Sequence, residues 1–243
     1  MSLAALLFSG PEAAMGRDAR TGERASEGRE DALATTLFLV RHGENPANLT
    51  REFSHRVIDY SLTLRGVQQA RQTARHFANQ RIDALYTSPL KRAYETAAII
   101  AGRLHLPVTV DERLREVNVG ALETRPPSPE TWALHDAIFA RWLAGDEAAC
   151  FPDGEDCVTL RGRMRASLGE MAARWPGGRV LVVAHGGIFA AALPALCANF
   201  PTSDDPATLH IPNCAITEVC LRGTCASLRG EIRGWAACGH LSE

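Results

Sequence analysis

The sequence lacks every broad signature of a membrane, nucleic-acid or metal-binding protein. No stretch approaches the roughly 20 consecutive apolar residues that a bilayer-spanning helix needs, and the apolar opening at residues 1–8 lacks the basic start and small-residue cleavage pattern of a secretory signal. Charge of either sign is not in excess. The 26 Lys and Arg against 28 Asp and Glu leave a net charge of -2, which excludes a general attraction to nucleic acid or anionic lipid. Any affinity for anions must therefore come from a local cluster. The seven cysteines, at 150, 157, 197, 214, 220, 225 and 238, form no C-x-x-C pair and have no His spaced as a zinc partner. An odd, scattered set fits reduced thiols better than a secreted disulfide framework, and cytoplasmic residence is expected. There is no internal repeat.

What is present is an alternation of strand and helix patterns. Residues 1–34 are rich in Gly, Ala, Arg and Glu, with no apolar period beyond the short opening, and read as a disordered leader; Met15 is an alternative start. A domain is expected over 35–243. It opens on the apolar, β-branched run 35–40, which suits a strand buried on both faces, and similar runs follow at 82–87 and 179–184. Helical patterns occupy about 64–79, 89–104, 130–144, 155–175 and 187–198. Strands alternating with helices imply an α/β three-layer sandwich, a mostly parallel sheet with helices on both faces. Residues 215–221 and the segment after Gly223 read as two strands joined by a tight turn at 222–224, adding an antiparallel edge.

Open α/β sheets place ligands beyond the carboxyl ends of their strands. After the first run comes Arg41-His42-Gly43-Glu44, after the second Thr87-Ser88-Pro89-Leu90-Lys91-Arg92, and after the third His185-Gly186-Gly187-Ile188. Two arginines, two histidines and a helix N-terminus thus gather on one edge. A phosphoryl group in transfer spreads negative charge over three oxygens that need fixed donors. Arginine forks and helix N–H groups supply such donors, and an imidazole can attack phosphorus in line. Each residue alone reads more simply as a structural or surface group; the conjunction carries the inference.

Between 35 and 221 the chain resembles the phosphoglycerate mutase-like branch of the histidine phosphatase superfamily. The resemblance rests on Leu39-Val40-Arg41-His42-Gly43-Glu44 with Asn48, Leu62-Thr63-Leu64-Arg65-Gly66, Thr87-Ser88-Pro89-Leu90-Lys91-Arg92-Ala93, Leu114-Arg115-Glu116 with Gly120, Gly154-Glu155 and Ala184-His185-Gly186-Gly187. It implies that His42 is the phosphorylated nucleophile, that Arg41, Arg92 and His185 form the phosphate pocket with Asn48 and the Gly186 N–H, and that Glu116 is the general acid/base. Glu123 reads more simply as a surface loop charge. Asn45, Thr124 and Asp156 depart from residues common in the family. The segment 51–56 is equally compatible with a loop reaching over the substrate and with a plain solvated loop.

The implied activity is that of a phosphoric monoester hydrolase acting on a small phosphorylated substrate, with no cofactor, no metal, no nucleic-acid or membrane partner, and homodimer formation left open. A mutase would share the pocket. The His-Tyr-Gly stretch that marks true mutases after the acidic residue is replaced here by Val117-Asn118-Val119-Gly120, which favours hydrolysis. A non-catalytic phospho-ligand binding module is disfavoured, because Arg41, His42, Arg92, Glu116 and His185 are all retained.

Overall fold

The computed structural model describes residues 34–201, 210–224 and 226–242. Apart from residue 34, the expected leader lies outside them. Six strands form one sheet in the order β3-β2-β4-β1-β5-β6. They are β1 (Thr35–Arg41), β2 (Ala84–Thr87), β3 (Val108–Val110), β4 (Arg179–Ala184), β5 (Ile216–Arg222) and β6 (Arg229–Ala237). The first four run parallel, and β5 pairs antiparallel with both β1 and β6. The helices are α1 (Pro46–Thr50), α2 (Leu64–Phe77), α3 (Lys91–Leu104), α4 (Pro129–Leu143), α5 (Cys157–Arg174) and α6 (Gly186–Leu196).

The continuous apolar runs are explained by burial on both faces. Side chains alternate across a strand. Phe38 and Val40 of β1 with Leu181 and Val183 of β4 therefore pack against Ala74 and Phe77 of α2 and Ala97 and Ile100 of α3. Leu37 and Leu39 with Val180 and Val182 face Leu160, Met164 and Leu168 of α5 and Ile188, Phe189 and Leu193 of α6. The three layers expected from the sequence are thus formed.

Local differences have local causes. The pattern-based reading passed over β3, because three residues at a sheet edge are too few to show a period. It also passed over α1, one turn held by a reciprocal Asn45–Asn48 capping box with Pro46 in its first turn. Helix α3 starts at Lys91 rather than at Pro89, since Leu90 is its extended N-cap. Helix α5 starts after Asp156, whose side chain accepts from Thr159 N; Asp156 and the Ser common in the family are both good N-caps. The hairpin connection is longer than the expected tight turn, with β6 beginning only at Arg229.

The sheet also fixes the site. Arg41 and Ala184 are register partners at the carboxyl ends of adjacent parallel strands. His42 N donates to Ala184 O at 2.9 Å, so the next residue of each strand, His42 and His185, emerges side by side.

Candidate active site

The two imidazoles lie with ring centroids 5.2 Å apart. His42 is buried, and its Nδ1 lies 2.7 Å from Gly43 O. A carbonyl only accepts, so Nδ1 carries the proton. The lone pair then lies on Nε2, to which Arg92 Nε donates at 3.0 Å. Burial, then the charges of Arg92 and Arg41, hold the His42 imidazole well below the ordinary histidine range, against the opposing Gly43 hydrogen bond. The group is a neutral base whose one lone pair, on Nε2, is directed by the Arg92 N–H. His185 is fully buried, its Nε2 lies 2.7 Å from Ser88 Oγ, and burial followed by Arg92 depresses its pKa as well.

Three buried side-chain atoms among the described residues have no hydrogen-bond partner: Arg41 Nε, Asn45 Nδ2 and His185 Nδ1. Such atoms are uncommon and costly singly. Arg41 and Asn45, together with His42, Asn48, Arg92, Glu116 and Gly186, line one cavity of about 330 Å³, and His185 packs against His42 behind them. Unpaired nitrogens around a cationic hollow are what an oxyanion of several acceptor atoms would satisfy. Arg41 NH1 is anchored on Ile211 O at 2.6 Å, which leaves its Nε edge free. Asn48 lies on the cavity as expected, but its Oδ1 accepts from Asn45 N and from Asn213 Nδ2. The unpaired amide belongs to Asn45, which pattern comparison had flagged only as a departure.

Glu116 sits at the N-terminus of α6. Its Oε1 accepts from Ile188 N at 2.8 Å and Val117 N at 2.9 Å, and its Oε2 accepts from Gly187 N at 3.1 Å. A Cβ on residue 187 would stand 2.7 Å from Glu116 Oε1, so glycine is what lets the carboxylate approach this helix. Arg41 and Arg92 both feel its charge.

Several positioning residues escaped the sequence reading. Arg92 donates through NH1 to Ser54 Oγ at 2.8 Å and through NH2 to Ser54 O at 2.7 Å, and burial lowers its pKa to about 10. The 51–56 segment is therefore tied to the site, with Phe53 and His55 buried. Glu123 is no surface charge. It is 5% exposed, and its Oε1 accepts from the backbone N–H groups of His55, Arg56, Val57 and Ile58 at 2.6 to 3.1 Å. Burial alone would raise its pKa, but these four bonds lower it. Arg163 pairs with Glu155 and donates to the carbonyls of Arg113, Arg115 and Glu116, clamping the segment that carries the acidic residue. These bonds join residues 8 to 68 positions apart, and no local pattern announces them.

A family model for the histidine phosphatase superfamily (branch 1) matches residues 37–230. The chain belongs to this superfamily. Among curated relatives, "Probable phosphoglycerate mutase GpmB" of Yersinia enterocolitica is 36% identical over 188 residues, covering 75% of this chain and 83% of the relative. "Putative phosphoserine phosphatase 2" of Hydrogenobacter thermophilus is 32% identical over 195 residues, covering 79% and 92%. Among solved structures, mycobacterial glucosyl-3-phosphoglycerate phosphatase in complex with VO3 superposes with a TM-score of 0.68 at 29% identity, covering 84% of this chain and 99% of that one.

Membership gives the remaining motif residues a physical reading. Thr63 caps α2, accepting from Gly66 N and donating to Glu44 Oε1 at 2.8 Å, while Gln69 Oε1 accepts from Glu44 N. Thr96 Oγ1 accepts from Gly43 N and donates to Arg92 O. The motif residues around the ends of β1 and β2 are thus largely the scaffold that holds His42 and Arg92 in register. Among the described residues no helix is long and apolar enough to cross a membrane, and no group of three or more His, Cys, Asp and Glu is gathered as a metal ion would use.

Proposed function

We propose that this histidine phosphatase superfamily member hydrolyses a phosphate monoester through a phosphohistidine on His42, without a metal ion. The observation that carries this reading is the neutral, Nδ1-protonated His42 whose Nε2 faces a pocket of unpaired nitrogens. Arg41 Nε, Asn45 Nδ2, His185 Nδ1 and the Gly186 N–H at the first position of α6 are the donors for the phosphoryl oxygens. This reading requires the Ser88 hydroxyl to donate to His185 Nε2, 2.7 Å away, which puts the proton on Nδ1 and makes it such a donor.

In the first step the Arg92 Nε–H turns from His42 Nε2 to a phosphoryl oxygen, and Nε2 forms a bond to phosphorus as the bond to the alcohol oxygen breaks. Protonated Glu116 gives its proton to the departing oxygen. In the second step water attacks phosphorus, Glu116 takes its proton, the N–P bond breaks and inorganic phosphate leaves, which restores neutral His42. Arg41 and Arg92 supply the fixed positive charge that a divalent ion supplies in other phosphatases. Phosphatase relatives support hydrolysis. Cytoplasmic residence belongs to the same reading and is supported by the six free cysteines among the described residues.

The test is a panel of monoesters assayed with chelator, with radiolabelled substrate to trap an acid-labile phosphoenzyme. We expect chelator-resistant turnover, loss of both turnover and label in His42→Ala by about a thousandfold or more, and a turnover loss of about 100-fold or more in Glu116→Gln. Activity that survives loss of His42, or that chelator abolishes, overturns the proposal. Fast conversion of 3-phosphoglycerate to 2-phosphoglycerate with a bisphosphoglycerate primer would establish mutase chemistry instead.

A further inference from the structure

The phosphate half of the cavity and the alcohol half differ in kind. Beyond the phosphate donors, its apolar walls include Phe53, Trp132, Phe139, Val117, Val119 and Ile211. The aromatic side is a run of rings in contact: Phe53 and Trp132 at 4.4 Å between centroids, Phe53 and His135 stacked at 5.1 Å, His135 and Phe139 stacked at 4.6 Å. Helix α4 and the 51–56 segment bring these rings together.

Charge on this half is scarce and of the wrong sign for an acid. Among the described residues, the arginines that line the cavity are Arg41 and Arg92, both already engaged at the phosphate end. Glu52 and Glu116 are the acidic side chains on its wall. His135 and His210 also line it, and burial keeps both below the ordinary histidine pKa. Arg51 does not line the cavity; its guanidinium lies over the Trp132 ring, 5.1 Å from the centroid. A carboxylate on the leaving alcohol would share the cavity with Glu52 and Glu116 and, among the described residues, would find no lining arginine or lysine beyond the two at the phosphate end, losing its hydration without return.

We propose that the leaving alcohol carries a planar apolar ring and no carboxylate. This inference rests on the phosphatase reading above, and separates the chain from relatives whose names specify phosphoglycerate or phosphoserine. Contact with the Trp132 and Phe139 side chains that line the cavity supplies the affinity, while the phosphate pocket supplies the chemistry.

The experiment compares kcat/KM for four esters of primary alcohols: 2-phenylethyl phosphate, adenosine 5′-monophosphate, glycerol 3-phosphate and 3-phosphoglycerate. We expect at least one ring-bearing ester to exceed both glycerol 3-phosphate and 3-phosphoglycerate by about tenfold or more, the scale of burying one ring. Which of the two leads separates a plain aryl ring from a nucleobase. In Trp132→Ala and Phe139→Ala the ratio of ring-bearing to ring-free substrate should fall toward one, and Trp132→Phe should restore it. Thermal melts identify any variant that is simply unfolded, and the four-ester comparison on the unaltered protein stands without the variants. Turnover in which 3-phosphoglycerate leads, or in which the ring gives no advantage, overturns the inference and leaves the phosphatase reading intact. Absence of His42-dependent turnover on all four overturns both.

Discussion

At Gly187 one missing side chain sets the position of another residue's carboxylate. Glu116 reaches the N–H groups at the start of α6 because nothing projects from residue 187; a methyl there would stand 2.7 Å from Glu116 Oε1. Alanine is the better helix former by up to about 1 kcal/mol, which the displaced Glu116 hydrogen bonds offset, so Gly187→Ala should still fold, at slightly lower stability, while turning over about 100-fold more slowly, the usual cost of misplacing a reacting group by an ångström. Parallel melting and steady-state assays check this, and a fully active Gly187→Ala would show that Glu116 need not hold this position. Asn45 makes the complementary point. Its substitution for Ser or Thr looks minor in sequence, yet its Oδ1 caps α1 while its Nδ2 lies buried and unpaired, on a residue that lines the same cavity as Arg41.

At the scale of elements, the loop at 52–58 is the least predictable part of the site and among the most tightly held. One carboxylate oxygen of Glu123 gathers four successive N–H groups, and the same loop presents Ser54 to Arg92, which in turn orients His42. Removing that oxygen leaves the donors to rearrange toward water. We expect Glu123→Ala to destabilise the fold by about 2 kcal/mol and to lower kcat as well as raise KM, since the loop holds Arg92 and Arg92 orients His42. Glu123→Gln, which keeps an acceptor oxygen, should recover part of both. Urea titration with full substrate curves gives the answer, and equal loss in the two variants would mean that the charge rather than the acceptor matters. Strand and helix periodicity did show β1, β2, β4 and the five long helices. It missed β3 and α1, because one turn or three residues are too short to express a period. It also misread Glu123, because carboxylates near loops are usually solvated and only the partner loop, 65 to 68 residues away, reveals otherwise.

For the whole molecule, two buried neutral histidines couple folding to pH. In the folded chain His42 and His185 are held well below the ordinary histidine pKa, by burial first and by neighbouring arginines next. The unfolded chain regains an ordinary value of about 6.5, so below that pH it binds more protons than the folded chain. Stability is therefore greatest above about pH 6.5 and falls on acidification, by up to about 1.4 kcal/mol per pH unit for each histidine. Denaturant midpoints between about pH 7.5 and 5.5 should decline, and less steeply in His42→Asn; a flat profile in the unaltered protein would contradict the buried neutral state.

The sequence by itself determined the architecture and the principal chemical groups. Apolar runs such as 35–40 and 179–184 are legible because a strand covered on both faces must be apolar throughout, and His42, Arg92 and His185 are legible because they stand at strand ends or in the helix turn just after one. Only the tertiary structure decided the tautomer of His42, the seat of Glu116 on α6, the unpaired amide of Asn45 and the ring-lined half of the cavity. Those depend on hydrogen bonds and packing between residues far apart in the chain, where periodicity and local propensity carry no information.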